Sequence, residues 1–191
     1  MAFGLKYDNI ENYLKSYGKY IVRQAKGILR QKGKDSSGTL INSLDYKVVK
    51  DKDGFDIDFY AAEYAKFVAK GVSGRNVTRS YIDMKGKRQT SPYRFKSKTI
   101  KTSVLDKWII RKGLVPRTSG GQFKKRSVNA VGFRKSLAFL IGRKIASRGL
   151  PAVSFYTQPI SWSFKKFKQE MVHNFKEDVL KEIKFFKKKL K

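Results

Sequence analysis

The sequence predicts an α+β protein: a small antiparallel sheet packed by long N- and C-terminal helices, with a basic loop-and-helix insertion between them. Three observations predict it. Apolar residues recur with a helical period near both ends of the chain. A two-residue period flanks an Asp-Gly pair between them. Positive charge is concentrated in the middle of the 191 residues. That length suits one domain with a large insertion, or two very small ones.

The first element is a helix, because Ile10, Leu14, Tyr17, Ile21, Ala25 and Ile28 recur at steps of four and three. Asp8 with Glu11 reads as a capping box, and Gly33 with the polar run from Lys34 to Gly38 ends the helix. Thr39 to Ser43 starts a short turn or helical segment. Tyr46–Val49 and Phe55–Phe59 are strands, joined through Lys50–Gly54 with Asp53-Gly54 as the hairpin turn. Phe55, Ile57 and Phe59 share one face. Asp56 and Asp58 share the other, where they are expected to pair with Lys47 and Lys50 across the strands.

Residues 75–148 form the insertion, and residues 1–74 and 149–191 the core. Gly86 to Pro92 has no periodicity and reads as loop, and Pro116 to Lys125 as a flexible loop around Gly120-Gly121. A short helix from Val104 to Lys112 is expected to bury Leu105, Trp108 and Ile109. A second, from Phe133 to Ser147, turns Leu137, Leu140, Ile141 and Ile145 inward. A long helix follows Pro159, with Ile160, Phe164, Phe167, Met171, Phe175, Val179, Ile183, Phe186 and Leu190 as one apolar stripe. It is longer than a small domain needs, so part of it is expected to pack on a partner or a neighbouring copy.

Composition narrows function. The chain has 44 Lys and Arg against 15 Asp and Glu, a formal charge of +29, yet 14 % of it is aromatic. Disordered polycations are poor in aromatics, so a folded protein is expected. Residues 1–74 are net +4, 75–148 net +19 and 149–191 net +6. Self-repulsion at the central density calls for a nearby anion or an extended segment. The longest apolar run, Leu137–Ile141, is far short of the ~20 residues of a membrane span. The first residues lack an apolar stretch, so no secretory signal is expected. Without cysteine there are no disulfides and no thiolate chemistry, and His173, the one histidine, cannot build a metal cluster alone.

Catalytic patterns are not found. Asp56, Asp58, Glu63 and Lys66 loosely suggest a metal-dependent nuclease, but strand alternation explains the aspartates and the Glu-Lys spacing is wrong. There is no phosphate-binding loop or dinucleotide fingerprint. Gly71-Val72-Ser73-Gly74 before Arg75 has the form of a nucleic-acid clamp loop, yet a turn between elements explains it. The basic amphipathic terminus from Lys184 to Lys191 suits a helix end matched to its dipole better than a membrane surface. Neither an enzyme nor any cofactor or metal site is expected.

Several segments, taken in order, resemble one family. After a long helix comes Ser37-Gly38-Thr39-Leu40-Ile41-Asn42-Ser43-Leu44, then a hairpin, then Tyr64-Ala65-Lys66-Phe67-Val68-Ala69-Lys70-Gly71. After the insertion come Gly149-Leu150-Pro151-Ala152-Val153-Ser154-Phe155 and a long terminal helix. This order resembles the head–tail connector, or tail-completion, proteins of the tailed-bacteriophage neck. Lys70 stands where the family carries an acid, and the insertion is foreign to its compact pattern. The resemblance implies a non-catalytic virion protein, assembled in the host cytoplasm as a six- or twelve-fold ring of copies between portal and tail. Its partners would be its own copies, the portal and other neck and tail proteins, duplex DNA in the channel, and no membrane. Gly38, Leu40, Ser43, Tyr64, Gly71 and Phe155 would be structural positions of the sheet and the ring interface.

The contact residues expected for DNA or protein partners are Arg75, Arg79, Lys85, Lys87, Arg88, Arg94, Lys96 and Lys98, with Tyr81, Tyr93 and Phe95 among them, and then Lys124, Lys125 and Arg126. Basic side chains at a DNA channel would neutralise phosphate without reading sequence. The alternative is a sequence-nonspecific nucleic-acid-binding module.

Overall fold

The computed structural model describes residues 6–34, 37–51, 54–114 and 131–189. Asp35, Ser36, Asp53, the 116–125 loop, Lys124, Lys125, Arg126 and Leu190 lie outside the described residues. The architecture is α+β, with small antiparallel ladders and long helices at both ends.

Helix α1, Asp8–Gln31, buries Ile10, Leu14, Ile21 and Ala25 as its spacing requires, with Val22 and Leu29 added to the same side. The capping box does not form. Tyr7 precedes the helix without a side-chain cap bond, and Asp8 already lies in the first turn. Asp178, far along the chain, takes over that task. Its two carboxylate oxygens accept the Asn9 and Ile10 N–H groups at 3.0 and 3.1 Å, and the residue is 2 % exposed. Four N–H groups at a helix start lack internal partners, and the dipole there favours an anion. At the other end Lys34 N bonds Leu29 O and Gly33 N bonds Arg30 O, a closure that needs Gly33 at φ +60°.

Helix α2, Thr39–Asn42, puts Leu40 and Ile41 into the core. Strands β1, Asp45–Asp51, and β2, Gly54–Tyr60, pair antiparallel from Asp45 opposite Tyr60 to Asp51 opposite Gly54. Gly54 therefore belongs to the strand, not the turn. Asp58 faces Lys47 as expected. Lys50 does not join the aspartates: it lies opposite Phe55, its Nζ 5.7 Å from the ring centre, and Asp56 is opposite Val49. Strand alternation sends Lys50 to the apolar face, where its stem covers Phe55. On that face Tyr46 fills the space over Gly18, where any Cβ would collide with its ring.

Helix α3, Ala65–Lys70, leads into β3, Val72–Ser73, which pairs with β6, Gly149–Leu150. The chain thus leaves and re-enters this region at one place. Gly71 has φ +69°, and a Cβ there would lie 2.7 Å from Ala152 N. The returning segment bonds back to α3, Val153 N to Val68 O and Ser154 N to Ala69 O. Phe155 is buried in the main core with Leu29, Leu40, Leu44 and Val153.

Between the two halves of that junction the structure departs from the sequence reading. Arg88–Thr90 is strand β5, paired with β4, Ser80–Ile82, where loop was expected. All three β5 residues are exposed, so no apolar alternation could reveal it. Helices α4, Thr102–Arg111, and α5, Val131–Arg148, pack against each other around Leu105, Ile109 and Ala138. Trp108 and Leu140 are exposed rather than inward. The fully buried residues of α5 are small, Ala138, Gly142 and Ala146; at Gly142 a Cβ would lie 3.1 Å from Ile100 O.

Helix α6, Thr157–Lys189, has 33 residues and is ~50 Å long at about 1.5 Å per residue. It begins before Pro159, which sits in the first turn, where its missing N–H leaves nothing unpaired. Tyr17 bonding Ser163, Tyr13 against Phe167 and Lys181 bonding Asn9 show α6 running antiparallel to α1. Of the expected stripe, Ile160, Phe167, Met171, Val179 and Phe186 are half-buried. Phe164, Phe175 and Ile183 are exposed by nearly half.

Candidate interaction site

The cations named from sequence fall into three groups. Lys85, Lys87 and Arg88 gather on the β4–β5 hairpin with their side chains exposed. One aspartate builds this turn. Asp83 Oδ1 accepts Lys85 N at 2.9 Å and Lys87 N at 2.8 Å, and Gln89 Nε2 donates to Oδ2 at 3.2 Å. The Lys87 N–H above all, then Gln89 and Lys85, hold this carboxyl below its usual range. The hairpin is fixed to the core where Ile82 N donates to Ser154 Oγ and the Thr157 hydroxyl donates to Ile82 O. Ser154 keeps φ +50° at this joint, a rare conformation for a residue with a Cβ.

Arg75, Arg79 and Arg94 sit at the β3–β6 junction, and two of them are engaged by the fold. Arg79 Nε donates to Arg148 O at 2.9 Å, and Arg94 Nη2 to Thr78 Oγ1 at 3.1 Å. Lys96 and Lys98 are exposed on the segment leading to α4. Two of the three interleaved aromatics, Tyr81 and Tyr93, have their rings engaged within the fold. Tyr93 lies edge-on to Phe67 at 4.6 Å, and Lys70 covers Tyr81.

The family-pattern positions have structural surroundings. Gly38 takes φ +69° before α2. Leu40 is in the core, and Ser43 Oγ donates to Leu40 O while accepting Ala62 N. Tyr64 stands at the N-terminal cap position of α3 without a side-chain cap bond, and is exposed. Gly71 permits the close approach of Ala152, and Phe155 fills the core.

A second surface escaped the sequence reading. Tyr13, Tyr17 and Tyr20 line a groove between α1 and α6 of about 400 Å³, closed by Trp162, Lys166 and Phe167. Tyr17 lies 4.5 Å from Phe167 and its hydroxyl pairs with Ser163 Oγ at 2.9 Å. Burial, with Glu170 and Tyr17 nearby, pushes the Tyr13 phenol up to about 12. The i, i+4, i+7 spacing of the tyrosines was visible, but only α6 shows that they share a groove. Among the described residues no group of three His, Asp or Glu could hold a metal, and no helix is long and apolar enough to cross a membrane. No family model matches the sequence, and no curated protein and no solved structure matches it.

Proposed function

We propose that the protein is a structural virion subunit of the head–tail connector type, which forms a ring in the phage neck and acts by binding rather than catalysis. The observation that carries this reading is the uncovered face of α6, where Phe164, Val172, Phe175 and Ile183 remain exposed along a ~50 Å helix. Apolar surface of that extent marks an interface. Ring contacts are heterologous, so a different surface of the next copy would cover it. The outer face of β1–β2 has the complementary charge. It presents Asp45, Asp56 and Asp58 around Lys47, while Lys165, Lys168 and Lys176 accompany the α6 stripe. The hairpin cations would then meet channel DNA or acidic portal surface.

The second reading, a sequence-nonspecific nucleic-acid binder, draws on Lys85, Lys87 and Arg88, which make no ion pair among the described residues. Sedimentation velocity and electron microscopy of the full chain, alone and with a portal ring, separate the two. Closed rings are expected, lost in the Asp56→Lys, Asp58→Lys double variant with its circular dichroism unchanged. A monomer that ignores the portal and binds duplex DNA tightly overturns the connector reading in favour of the second.

A further inference from the structure

We propose that the groove between α1 and α6 is a docking site for an acidic amphipathic helix of a partner protein. The site is on the opposite side of α6 from the exposed stripe: Trp162 and Phe164 leave the helix ~200° apart at 3.6 residues per turn. It does not rest on the ring. The aromatic hollow continues into a second of about 440 Å³, sharing Ser16 and Tyr20 with it. Together they run along α1 from Tyr13 to Arg30, ~26 Å at about 1.5 Å per residue. That is the length of a five-turn helix. The first hollow has an aromatic floor, the second adds Val22 beside the shared Tyr20, and Trp162 on one rim is 69 % exposed.

Charge selects the occupant. Lys19, Arg23, Lys26 and Arg30 form one row on α1, at steps of four, three and four, and Lys166 stands on the α6 rim. None of the five has a carboxylate within 4 Å among the described residues. A helix with an apolar face and acids at the same steps along one flank would meet both the floor and the row. A second copy lacks such a flank: α1 has acids only at Asp8 and Glu11, and the four of α6 are all half-buried or buried. Single-stranded nucleic acid fits less well. Base stacking needs open ring faces, whereas Tyr17 packs on Phe167 at 4.5 Å and Tyr13 lies 6.0 Å from the same ring.

The test uses the full chain carrying Trp108→Phe, so that Trp162 alone reports. The probe is a synthetic helical peptide with a leucine face and glutamates at i, i+4, i+7 and i+11. A scrambled peptide of the same composition, a lysine-for-glutamate version and oligo(dT) serve as comparisons. The acidic amphipathic peptide is expected to shift Trp162 emission to the blue and to bind at least tenfold tighter than the scrambled one. The Arg23→Glu, Lys166→Glu variant should lose at least tenfold while keeping its circular dichroism. Equal binding of the scrambled or lysine peptide, or an unmoved Trp162, overturns the proposal. Oligo(dT) that displaces the peptide and quenches Trp162 assigns the groove to nucleic acid instead.

Discussion

Asp178 is where a single substitution should reveal how the two ends of the chain are joined. Its carboxylate receives two backbone N–H groups of α1, at 3.0 and 3.1 Å, from a site that is 2 % exposed. Hydrogen bonds to a charged group contribute about 1.5–3 kcal/mol each when water cannot replace them. A lost helix cap costs about 1 kcal/mol. The two figures describe the same contacts and are not summed. Asp178→Ala is therefore expected to cost ~3 kcal/mol, since both donors lose their partner in a buried site. Asp178→Asn keeps one acceptor and should cost ~2 kcal/mol. In a chain of this size each kcal/mol lowers Tm by about 2–4 °C, so the alanine variant should melt ~6–12 °C lower. The contrast is Asp8→Ala. Asp8 lies in the first turn without a cap bond, and only its interaction with the dipole, ~0.5 kcal/mol, is at stake. Urea unfolding followed by circular dichroism, compared at constant slope, measures all three. An Asp178→Asn protein within ~0.5 kcal/mol of the parent, or an Asp8→Ala protein the weaker of the two alanine variants, refutes the long-range cap.

Three further outcomes are expected. Gly71→Ala should lose at least ~2 kcal/mol in the same unfolding assay, because positive φ adds strain to a Cβ that would lie 2.7 Å from Ala152 N. Burial pushes the Tyr156 phenol up to about 12, with Asp45 adding to it, and Tyr13 is raised to the same value. The folded state favours their neutral form, so their stabilisation is present below the ordinary phenol range and is lost as pH climbs from about 10 through about 12. Absorbance titration should show these tyrosines ionising last, and Tyr156→Phe should flatten part of the alkaline loss. Where duplex DNA is the hairpin's ligand, Lys85→Ala with Lys87→Ala should lower the slope of log affinity against log salt by about 2.

The helices were legible because their stripes repeat over many turns. In α1 the spacing selected Ile10, Leu14, Ile21 and Ala25, which are buried, but also Tyr17 and Ile28, which are half-buried, and it left out the buried Val22 and Leu29. Pro159 marked the start of α6 to within two residues. What failed depends on partners distant in sequence. Nothing local to Asp8 or Glu11 says that Asp178 caps α1. Strand β5 is exposed throughout, so its hairpin rests on the Asp83 turn and backbone pairing, which leave no apolar pattern. Trp108 and Leu140 were placed inward, but the α4–α5 contact is made by Leu105, Ile109 and Ala138 with Leu137, Ile141 and Ile145 packed against them, which leaves those two side chains outside it. The basic residues were found by type alone. Sequence could not tell that Arg79 and Arg94 bond the fold while Lys85, Lys87 and Arg88 project from it.

The distribution of carboxylates carries the strongest argument for an external anion. Residues 75–148 hold only two acids. Asp83 builds the hairpin turn, and Asp106 pairs with Arg134 at 2.8 Å, joining α4 to α5. Both therefore serve the fold, and among the described residues the remaining cations of this segment have no carboxylate partner within 4 Å. At physiological salt the screening length is ~8 Å, so neighbouring cations on one hairpin still repel. Any simple salt relieves that repulsion by screening, but a multivalent anion that binds also adds its own stabilisation. Inorganic phosphate or a short duplex should then raise Tm more than sodium chloride at equal ionic strength. Replacing Lys85, Lys87 and Arg88 together by glutamine should shrink that difference. Equal effects of phosphate, duplex and chloride would mean that the charge is only screened, and that this surface faces water.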